Sequence, residues 1–450
     1  MSFPKHLDYK ESGCHWIGRV PLHWHLHKLK HVADIVGGGT PSREKLEYWN
    51  GEIPWVSPKD MKSECISSAE ECITELGLNN STTRLQDVGR VLMVIRSGIL
   101  QHTLPVAVNA VPVALNQDMK SFSFDETKCL PDFFLRWVQG LNDDLLLAWA
   151  NEGATVESIN QTLLQNSILP LPDVAEQRAI ASFLEVETSK IDGLVSEQRH
   201  LIELLKEKRQ AVISHAVTKG LNPNAPRKPS GIQWLGDVPE HWELTKFGQL
   251  SNVVRGGSPR PAGDPTLFNG DFSPWVTVAE ITKDDEIDLT ETSTFLTEKG
   301  SQESRLFEPG TLLLTNSGGS LGVPKVLRMQ ANANDGVIGF LNLQLNLHFA
   351  YFYLSTLTEY LRDLVRKTGG STQINLNTNL IKQLAVPVPP NDEIDKIVCM
   401  IFESQNKFRE LETEAERAIE LLQERRTALI SAAVTGKIDV RGYDPKEAMA

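Results

Sequence analysis

The chain of 450 residues contains one sequence pattern twice. The run SGCHWIGRVPLHW at residues 12–24 matches SGIQWLGDVPEHW at residues 230–242 without a gap, at an offset of 218 residues. A second ungapped match joins IELLKEKRQAVISHAV (202–217) to IELLQERRTALISAAV (419–434), at an offset of 217 residues. A repeat unit of this size is a domain and not a solenoid repeat. The sequence therefore predicts two copies of one domain architecture.

The composition is that of a globular protein, with 40% apolar and 7% aromatic residues. No segment approaches the ~18 consecutive apolar residues of a membrane helix, and the start MSFPKHLDYK contains no apolar leader, so we expect a cytosolic protein. The five cysteines form an odd set without paired short spacings, which is typical of reduced thiols. No disulfide framework and no structural metal are expected.

The net charge of −13 lowers the expectation of nucleic-acid binding, because phosphate contacts need local positive charge. Acidic residues cluster in helical segments such as 410–420, however, and this leaves basic loops elsewhere free to form a DNA-binding face. The overall charge is therefore only a weak argument against DNA as a partner.

Each copy has the same internal order of segments. A tryptophan motif (12–24 and 230–242) precedes a mixed region rich in glycine and tryptophan, which contains the strand-like runs VLMVI (91–95) and TLLLT (311–315). Each run is followed by a Ser-Gly turn, at 97–98 and 317–318. The proline-bounded segments ILPLP (168–172) and LAVPVP (384–389) predict edge strands, and a long helix follows each of them.

The two long helices are predicted from about Val174 to Val217 and from about Glu393 to Val434. Apolar residues recur on three-to-four spacing in both helices, at Leu184, Ile191, Leu194, Leu201, Leu205 and Val212, and at Ile401, Phe408, Leu411, Ala418, Leu422 and Leu429. Such a stripe over several heptads predicts a coiled-coil seam. The alternative is that each helix only covers its own domain; a length of about 60 Å at 1.5 Å per residue favours pairing of the two helices.

These segments predict the domain organisation. The segment KGLNPNAPRKPSG (219–231), rich in proline, asparagine and glycine, is the clearest boundary. The predicted order is a first mixed domain at 1–170, a first helix at 171–219, a linker at 220–230, a second mixed domain at 231–387, a second helix at 388–435 and a tail at 436–450.

The motifs together resemble the specificity subunit of type I restriction-modification systems. The resemblance rests on the tryptophan motifs, on the loops GGTPS (38–42) and GGSPR (256–260), and on the closing segments AVTKGLNP (216–223) and AVTGKIDVRG (433–442). It covers nearly the whole chain. It implies an α+β fold with a pseudo-two-fold internal repeat, in which two mixed α/β target-recognition domains are separated by two long helices packed as an antiparallel coiled coil.

The same resemblance implies a function. Each domain would read one half of a bipartite, asymmetric double-stranded DNA site, and the helices would set the gap and dock two methyltransferase subunits. In the full complex two motor-nuclease subunits would join them. The chain itself would be non-catalytic, and S-adenosylmethionine, ATP and magnesium are expected only on the partner subunits. Between residue 42 and residue 118 the first copy shares little with its counterpart beyond turns, as two readers of different half-sites would.

Catalytic motifs do not support an enzyme. The segment VPVPPND (386–392) lacks the aromatic residue of an adenine methyltransferase motif, Glu126-Thr127-Lys128 has no suitable upstream acid for a nuclease, and no Walker loop is found. Two alternatives to an adaptor remain: a fused restriction-methylation enzyme, for which the chain leaves no room, and a structural protein whose helices only mediate assembly.

Two other patterns imitate functional sites. The run HWHLHKLKH contains His23, His25, His27 and His31, but only the first recurs in the second copy, as His241. We expect His23 and His241 to cap the packed tryptophan motifs instead of binding a metal. The sequence GGSLG (318–322) could be a phosphate-binding nest, but the first copy has SGILQ at 97–101, so only Ser-Gly is shared.

Candidate DNA contacts are basic and small polar residues in loops and at strand ends. In the first domain they are Thr40, Ser42, Arg43, Lys45, Lys59, Arg96 and Ser97; in the second they are Arg255, Ser258, Arg260, Lys283, Asn316, Ser317 and Lys325. Trp55 and Trp275 are expected in the core. The helical basic runs KEKRQ (206–210) and QERRT (423–427) contact either phosphates or another helix or partner, and their glutamates favour the second interpretation.

Overall fold

The computed structural model describes residues 3–151, 156–368 and 376–443, apart from the side chains of residues 367 and 368. The chain divides into two compact units. Unit 1 comprises Met1–Arg199 and Glu416–Ala450, and unit 2 comprises His200–Ala415. This division by packing cuts each long helix in two, because the two halves of a helix pack on different units.

Unit 1 is built around a mixed five-stranded sheet. Its strands are β1 (Tyr9–Glu11), β2 (Arg19–Pro21), β3 (His25–Lys28), β4 (Ala33–Gly37), β5 (Trp49–Val56), β6 (Cys65–Ile66), β7 (Cys72–Ile73), β8 (Val91–Val94), β9 (Val106–Asn109), β10 (Ala114–Leu115), β11 (Met119–Phe124) and β12 (Ile168–Leu171). Its helices are α1 (Glu75–Asn79), α2 (Pro131–Gly140), α3 (Asn142–Trp149), α4 (Gln161–Asn166) and the first part of α5 (Val174–Lys219), with 3-10 turns at Leu29–His31, Leu46–Tyr48 and Gly98–Gln101.

The strand order of the five-stranded sheet is β4-β11-β8-β9-β6, and a three-stranded sheet has the order β10-β5-β7. The central strand β8 is buried along its whole length, as its continuous apolar sequence predicts. The predicted edge strand at 168–171 pairs with β3 in a sheet of two strands.

Unit 2 repeats this plan. Its strands are β13 (Arg227–Pro229), β14 (Asp237–Pro239), β15 (Glu243–Lys246), β16 (Asn252–Arg255), β17 (Phe268–Val276), β18 (Asp288–Leu289), β19 (Phe295–Leu296), β20 (Arg305–Phe307), β21 (Leu312–Thr315), β22 (Pro324–Leu327), β23 (Ala331–Ala333), β24 (Val337–Leu341) and β25 (Ala385–Val388). Its helices are α6 (Phe247–Leu250), α7 (Val278–Ile281), α8 (Glu298–Gln302), α9 (Leu347–Ser355), α10 (Thr358–Thr368), α11 (Thr378–Gln383) and the first part of α12 (Asn391–Val434).

The five-stranded sheet of unit 2 has the order β16-β24-β21-β22-β18 and corresponds strand by strand to that of unit 1. The second sheet, of order β19-β17-β23-β20, repeats β7-β5-β10 and adds β20, in whose place unit 1 has the isolated bridge between Gln86 and Val113. The predicted internal repeat is thereby confirmed at the level of sheet topology. The predicted linker is less irregular than its composition suggests, since residues 227–229 form β13 and pair with β14.

The two long helices have 46 and 44 residues and begin within two residues of the predicted positions. Within unit 1, Ile180 and Phe183 near the start of α5 share a core with Ile430 and Val434 near the end of α12. Within unit 2 the reverse ends meet: Ile213 and Val217 of α5 share a core with Ile394 and Ile401 of α12, and with Ile397 and Val398. The helices are therefore antiparallel in each unit, as the resemblance implied.

The predicted seam needs correction in its middle part. Leu184, Ile191 and Ile401 are buried, but Leu194, Leu201 and Leu411 are 43–47% exposed. Val195 and Ile213 are buried and each follows a predicted seam residue by one position, and Ala415 is buried four positions after the exposed Leu411. The apolar period is correct, but its phase drifts along these helices because a straight helix has 3.6 residues per turn and not 3.5.

The basic runs on the helices make helix–helix ion pairs. Arg209 lies 3.8 Å from Glu412 in unit 2, and its equivalent Arg426 donates to Asp192 at 2.9 Å in unit 1. Arg426 also reaches Glu64 of the first mixed domain at 3.2 Å. Burial alone would raise the pKa of Glu64, but Arg136 and Arg426 lower it.

Among the described residues, no helix is both long enough and apolar enough to cross a membrane.

Candidate nucleic-acid interface

The glycine loop, residues 38–42 in unit 1 and 256–260 in unit 2, lies directly against the turn that precedes β11 or β24. The Gly39 amide donates to the carbonyl of Leu115 at 2.8 Å, and the Gly257 amide donates to that of Ala333 at 2.9 Å. A Cβ atom on Gly38 would lie 1.9 Å from the Asn116 carbonyl oxygen, and one on Gly256 would lie 2.2 Å from that of Asn334. The first glycine of each loop is therefore required by close backbone approach.

The residue after the glycine pair makes the same contact in both copies. The Thr40 hydroxyl donates to Gln117 Oε1, and the Ser258 hydroxyl donates to Asp335 Oδ1 at 2.6 Å. The acceptors, like the donors, are related by the offset of 218 residues. The loops thus share one frame, whereas the side chains placed on it differ.

In unit 1 the turn at 116–118 also holds Arg96. The guanidinium donates from Nε to Asp118 Oδ1 at 2.6 Å, so Thr40 and Arg96 lie against adjacent residues. Ser97 is half-buried, and its hydroxyl accepts a hydrogen bond from the Ile99 amide at 3.4 Å, which caps the 3-10 turn that follows. The structure therefore brings Arg96 to the glycine loop but uses the Ser97 side chain locally.

Arg43 lies on an aromatic platform beside the same loop. Its guanidinium carbon is 3.8 Å from the Trp49 ring centroid and 5.0 Å from that of Trp55, and both terminal nitrogens donate to the Glu71 carboxylate. The Glu71 hydrogen bond raises the pKa of Arg43, and the Arg43 hydrogen bond lowers that of Glu71. The Arg43 side chain is 54% exposed, so it is fixed in direction yet open to solvent.

The other candidates of unit 1 surround this platform. The Lys45 ammonium donates to the Tyr48 hydroxyl at 2.9 Å, and Ser42 accepts the Trp49 indole N–H at its carbonyl at 3.1 Å. Lys59 is exposed, and its charge contributes to the lowered pKa of Glu71. Ser42, Lys45 and Lys59 are therefore exposed, and each interacts with a residue of the Arg43 platform or with its neighbour in the chain.

In unit 2 three candidates converge on Asp335. Ser258 donates to its carboxylate, Arg260 lies 3.5 Å from Oδ2, and Arg255 lies 4.0 Å from Oδ2 and also donates to the Asp335 carbonyl. The Ser258 hydrogen bond, followed by the charges of the two arginines, lowers the pKa of Asp335 against the opposing effect of burial. Two cations thus share one anion on the exposed side of the loop.

Two candidates of unit 2 need correction. The Asn316 side chain is fully buried and donates to the Asp335 carbonyl at 3.1 Å, so it supports the loop from behind. The Lys325 side chain is 2% exposed, and its ammonium is paired with Asp284. Neither side chain is accessible to DNA. Sequence could not show this, because a lysine on a strand is expected at the surface and only the pairing with Asp284 permits its burial.

The remaining two candidates lie differently. Lys283 is exposed, but its ammonium is directed to the Glu291 carbonyl at 3.2 Å and to Glu280 at 3.6 Å and not to Asp335. Ser317 is half-buried, and its hydroxyl lies close to Gly336, next to Asp335. Trp55 and Trp275 are buried, which confirms their prediction as core residues.

Sequence reasoning missed the acidic and amide partners of this interface, namely Glu71, Gln117, Asp118 and Asp335. A signal for part of this set existed: Asn116 and Asn334 recur at the offset of 218 residues and mark the turns that hold the three residues at 117, 118 and 335. Positive charge in the sequence does not mark these partners, because only the fold reveals which acids neutralise which arginines.

The two histidines of the tryptophan motifs are confirmed as caps. His23 lies 2.7 Å from Glu176, and His241 lies 2.7 Å from Glu393, in the first turns of the long helices. The indoles of the neighbouring tryptophans donate to the same two glutamates at 3.1 Å. The recurring His-Trp pair therefore fastens each motif to the start of a long helix.

The chain is similar in sequence to known proteins. The family model described as "Type I restriction modification DNA specificity domain" matches residues 21–203 and again residues 239–421. The EcoR124I/EcoR124II specificity subunit of Escherichia coli is 36% identical over 180 residues, which span 40% of this chain and 42% of that relative. The MjaIX specificity subunit of Methanocaldococcus jannaschii is 24% identical over 453 residues, or 98% of each chain.

Solved structures show the same fold. A chain from a structure described as the basis of complex assembly and conformational transition of the type I R-M system has a TM-score of 0.66 at 15% identity and covers 92% of this chain and 98% of its own. The HsdS subunit from Thermoanaerobacter tengcongensis has a TM-score of 0.50 at 15% identity and covers 93% and 98%. The relatives are named as specificity subunits, in agreement with the expectation that the chain is not itself an enzyme. This chain belongs to the type I restriction-modification DNA specificity family and carries two copies of its domain.

Proposed function

We propose that this chain is the subunit that selects the DNA site of a type I restriction-modification complex. Each mixed domain reads one half of a bipartite, asymmetric double-stranded site. The long helices set the gap between the halves and dock the methyltransferase subunits. The chain performs no chemistry of its own.

The observation that carries this proposal is the shared loop frame with unlike side chains. Both copies hold a small hydroxyl residue against the residue at 117 or 335, but the first adds Arg43 on a tryptophan platform and the second adds Arg255 and Arg260 around one carboxylate. Arginine is the side chain best suited to bidentate contacts with guanine and phosphate. Equal frames with different arginines are what two readers of different half-sites need.

Partner docking is supported by the long helices. Leu194 and Leu421 in unit 1, and Leu201, Leu204 and Leu411 in unit 2, are 43–56% exposed. Apolar side chains in such numbers on two helices suit a surface that another protein covers. Because Arg209 and Arg426 are engaged in helix–helix ion pairs, these two members of the basic runs are less suited to tracking phosphates.

The partners in this proposal are double-stranded DNA, two methyltransferase subunits and, in the full complex, two motor-nuclease subunits. S-adenosylmethionine, ATP and magnesium belong to those partners. The five cysteines are unpaired, which suits a reducing cytoplasm.

The test is to express this chain together with the methyltransferase subunit of a type I system with which it forms an active methyltransferase. Methylated bases are then mapped across the host genome. The expected pattern is one asymmetric site with two specified halves and an unspecified gap. Exchange of residues 14–170 for those of a relative should then alter one half only. Methylation without a sequence pattern, or alteration of both halves by the exchange, would refute the proposal.

A further inference from the structure

A cluster of potential metal ligands lies where the two ends of the described chain meet in unit 1. The Asp439 amide donates to the Pro4 carbonyl at 2.8 Å, and Tyr443 donates to Glu187 of α5 at 3.0 Å. The residues before the first tryptophan motif and those after α12 therefore pack together on the start of α5.

His6, His23 and Glu176 meet at this place, and each offers one ligand atom within 4.8 Å of the others. His6 Nε2 lies 3.8 Å from Glu176 Oε1, and His23 Nε2 lies 2.7 Å from Glu176 Oε2. Donors around a tetrahedral ion with bonds of about 2.0–2.1 Å lie about 3.4 Å apart. These two separations lie on either side of this value but end on different carboxylate oxygens. Because the three ligand atoms all lie within 4.8 Å of one another, they must approach by up to about 1.4 Å to hold an ion.

The surroundings of His6 are those of a ligand and not of a settled core histidine. The residue is only 7% exposed, and its Nδ1 atom has no hydrogen-bond partner. That atom lies 3.7 Å from Asp439 Oδ2, which is beyond hydrogen-bond distance, and both oxygens of this carboxylate accept hydrogen bonds from Arg441. A carboxylate therefore stands beside the ring on the side away from Glu176. A carboxylate that fixes the tautomer of a histidine ligand is the usual second layer of a metal site.

The second copy provides an internal comparison, because it lacks half of this cluster. The positions of His6 and Asp439 are taken there by Asn224 and Asn222, whereas His241 and Glu393 keep the contact of His23 and Glu176. The histidine–glutamate contact is therefore the shared structural device. The additional histidine and aspartate belong to unit 1 alone and are not needed to fasten a tryptophan motif to a long helix.

We infer that His6, His23 and Glu176 bind one divalent transition-metal ion of the zinc class, with Asp439 supporting His6. A set of two imidazoles and one carboxylate favours zinc over magnesium or calcium, which bind mainly oxygen ligands. The Trp24 indole holds the carboxylate in place, and the His23 side chain is 41% exposed, which leaves one coordination position open to water. The ion ties residue 6 to the tryptophan motif and to α5.

This inference departs from the expectation that the chain holds no structural metal. That expectation concerned the histidines at 23, 25, 27 and 31, and only His23 of these belongs to the cluster. The other ligands are 17 and 153 residues away from it in sequence, and only the fold brings them together. The inference does not depend on the proposed function.

The test uses the full-length, reduced chain after chelator treatment. Titration with Zn²⁺ by calorimetry should show one tight site, and Co²⁺ should give a visible spectrum of nitrogen and oxygen ligands without the near-ultraviolet bands of thiolate ligation, since five cysteines are present. Zn²⁺ should also raise the midpoint of thermal unfolding.

His6→Asn introduces the residue that the second copy has at this position and should weaken Zn²⁺ binding by more than the ~10–100-fold expected for Asp439→Asn, which removes only the supporting carboxylate. His241→Asn is the matched control in unit 2 and should leave the affinity unchanged. A Co²⁺ spectrum with thiolate bands only, the absence of binding, or equal affinities of the His6→Asn and His241→Asn variants would overturn the inference. Circular dichroism of both variants separates loss of binding from loss of folding.

Discussion

Ser258 donates a 2.6 Å hydrogen bond to Asp335, and the guanidiniums of Arg255 and Arg260 lie 4.0 and 3.5 Å from the same carboxylate. The second glycine loop therefore presents two cations whose charge is partly neutralised within the protein. To bind a DNA phosphate, either arginine must first give up its contact with the Asp335 carboxylate. If these two arginines contact DNA, as proposed, Asp335 weakens binding to DNA in general and favours a site that offers both arginines good contacts.

The variant Asp335→Asn should bind DNA more tightly and less selectively. Removal of the carboxylate frees up to two cations, and each additional arginine–phosphate pair steepens the dependence of log affinity on log salt by about 0.9. Fluorescence anisotropy with random duplexes at several salt concentrations measures both quantities. Asp288→Asn, which removes the partner of Arg328 in the same unit, should change neither; equal effects of the two variants would contradict the role of Asp335.

Arg43 should show different responses to loss of charge and to loss of shape. Arg43→Ala should reduce the salt slope by about 1 if the guanidinium contacts phosphate. Arg43→Lys keeps the charge but cannot stack on Trp49 or form a bidentate fork, so it should lower discrimination at the first half-site by about 1–3 kcal/mol while the slope is preserved.

Methylated-site mapping reports the half-site that becomes degenerate, and Arg90→Lys is the control in the same unit. If Arg43→Lys leaves the recognition sequence intact, a base contact by Arg43 is excluded.

Lys325→Met should leave DNA affinity unchanged, because the buried ammonium is paired with Asp284 and does not reach solvent. Its effect on stability at neutral pH should be small, because methionine has a similar volume and the Asp284 side chain that loses its partner is 39% exposed and stays hydrated. A loss of DNA binding in this folded variant would restore Lys325 as a contact.

The same pair gives a pH prediction. The Lys325 hydrogen bond lowers the pKa of Asp284 below its ordinary value of 3.8. The stabilisation from the pair is therefore complete above 3.8 and is lost as the pH falls through the lower value of the folded state. Urea unfolding at pH 7 and near pH 3 should show a smaller acid-induced loss in Lys325→Met than in the wild type; identical acid sensitivity would contradict the pairing.

Lengthening both long helices should widen the unspecified gap of the DNA site. Seven residues inserted after Arg199 and seven after Ala415 add two turns, or about 10 Å at 1.5 Å per residue, to each helix. This corresponds to about 3 base pairs at 3.4 Å each. Mapping of methylated sites should show the longer gap with both half-sites unchanged. An insertion in α5 alone should abolish DNA methylation by the complex, because it breaks the antiparallel pairing of the two helices. An unchanged gap in the variant with both insertions would argue against the spacer role.

The amino-acid sequence by itself determined the duplication, the order of segments, the starts of the long helices to within two residues and the family. These properties depend on local chemistry: prolines that end strands, apolar residues on helical spacing, and glycines that permit close backbone approach. The loops at 38–42 and 256–260 could be recognised from the sequence because their glycines are such a local signal.

Only the tertiary structure decided which polar groups meet. Asp335 lies beside Ser258 because β24, which follows it, pairs antiparallel with β16, which ends directly before the second glycine loop. The burial of Lys325, the exposure of Leu201 and the meeting of His6 with Glu176 likewise depend on packing between segments distant in sequence. A side chain's charge is local, but its partner and its access to solvent are set by long-range contacts, which no local pattern records.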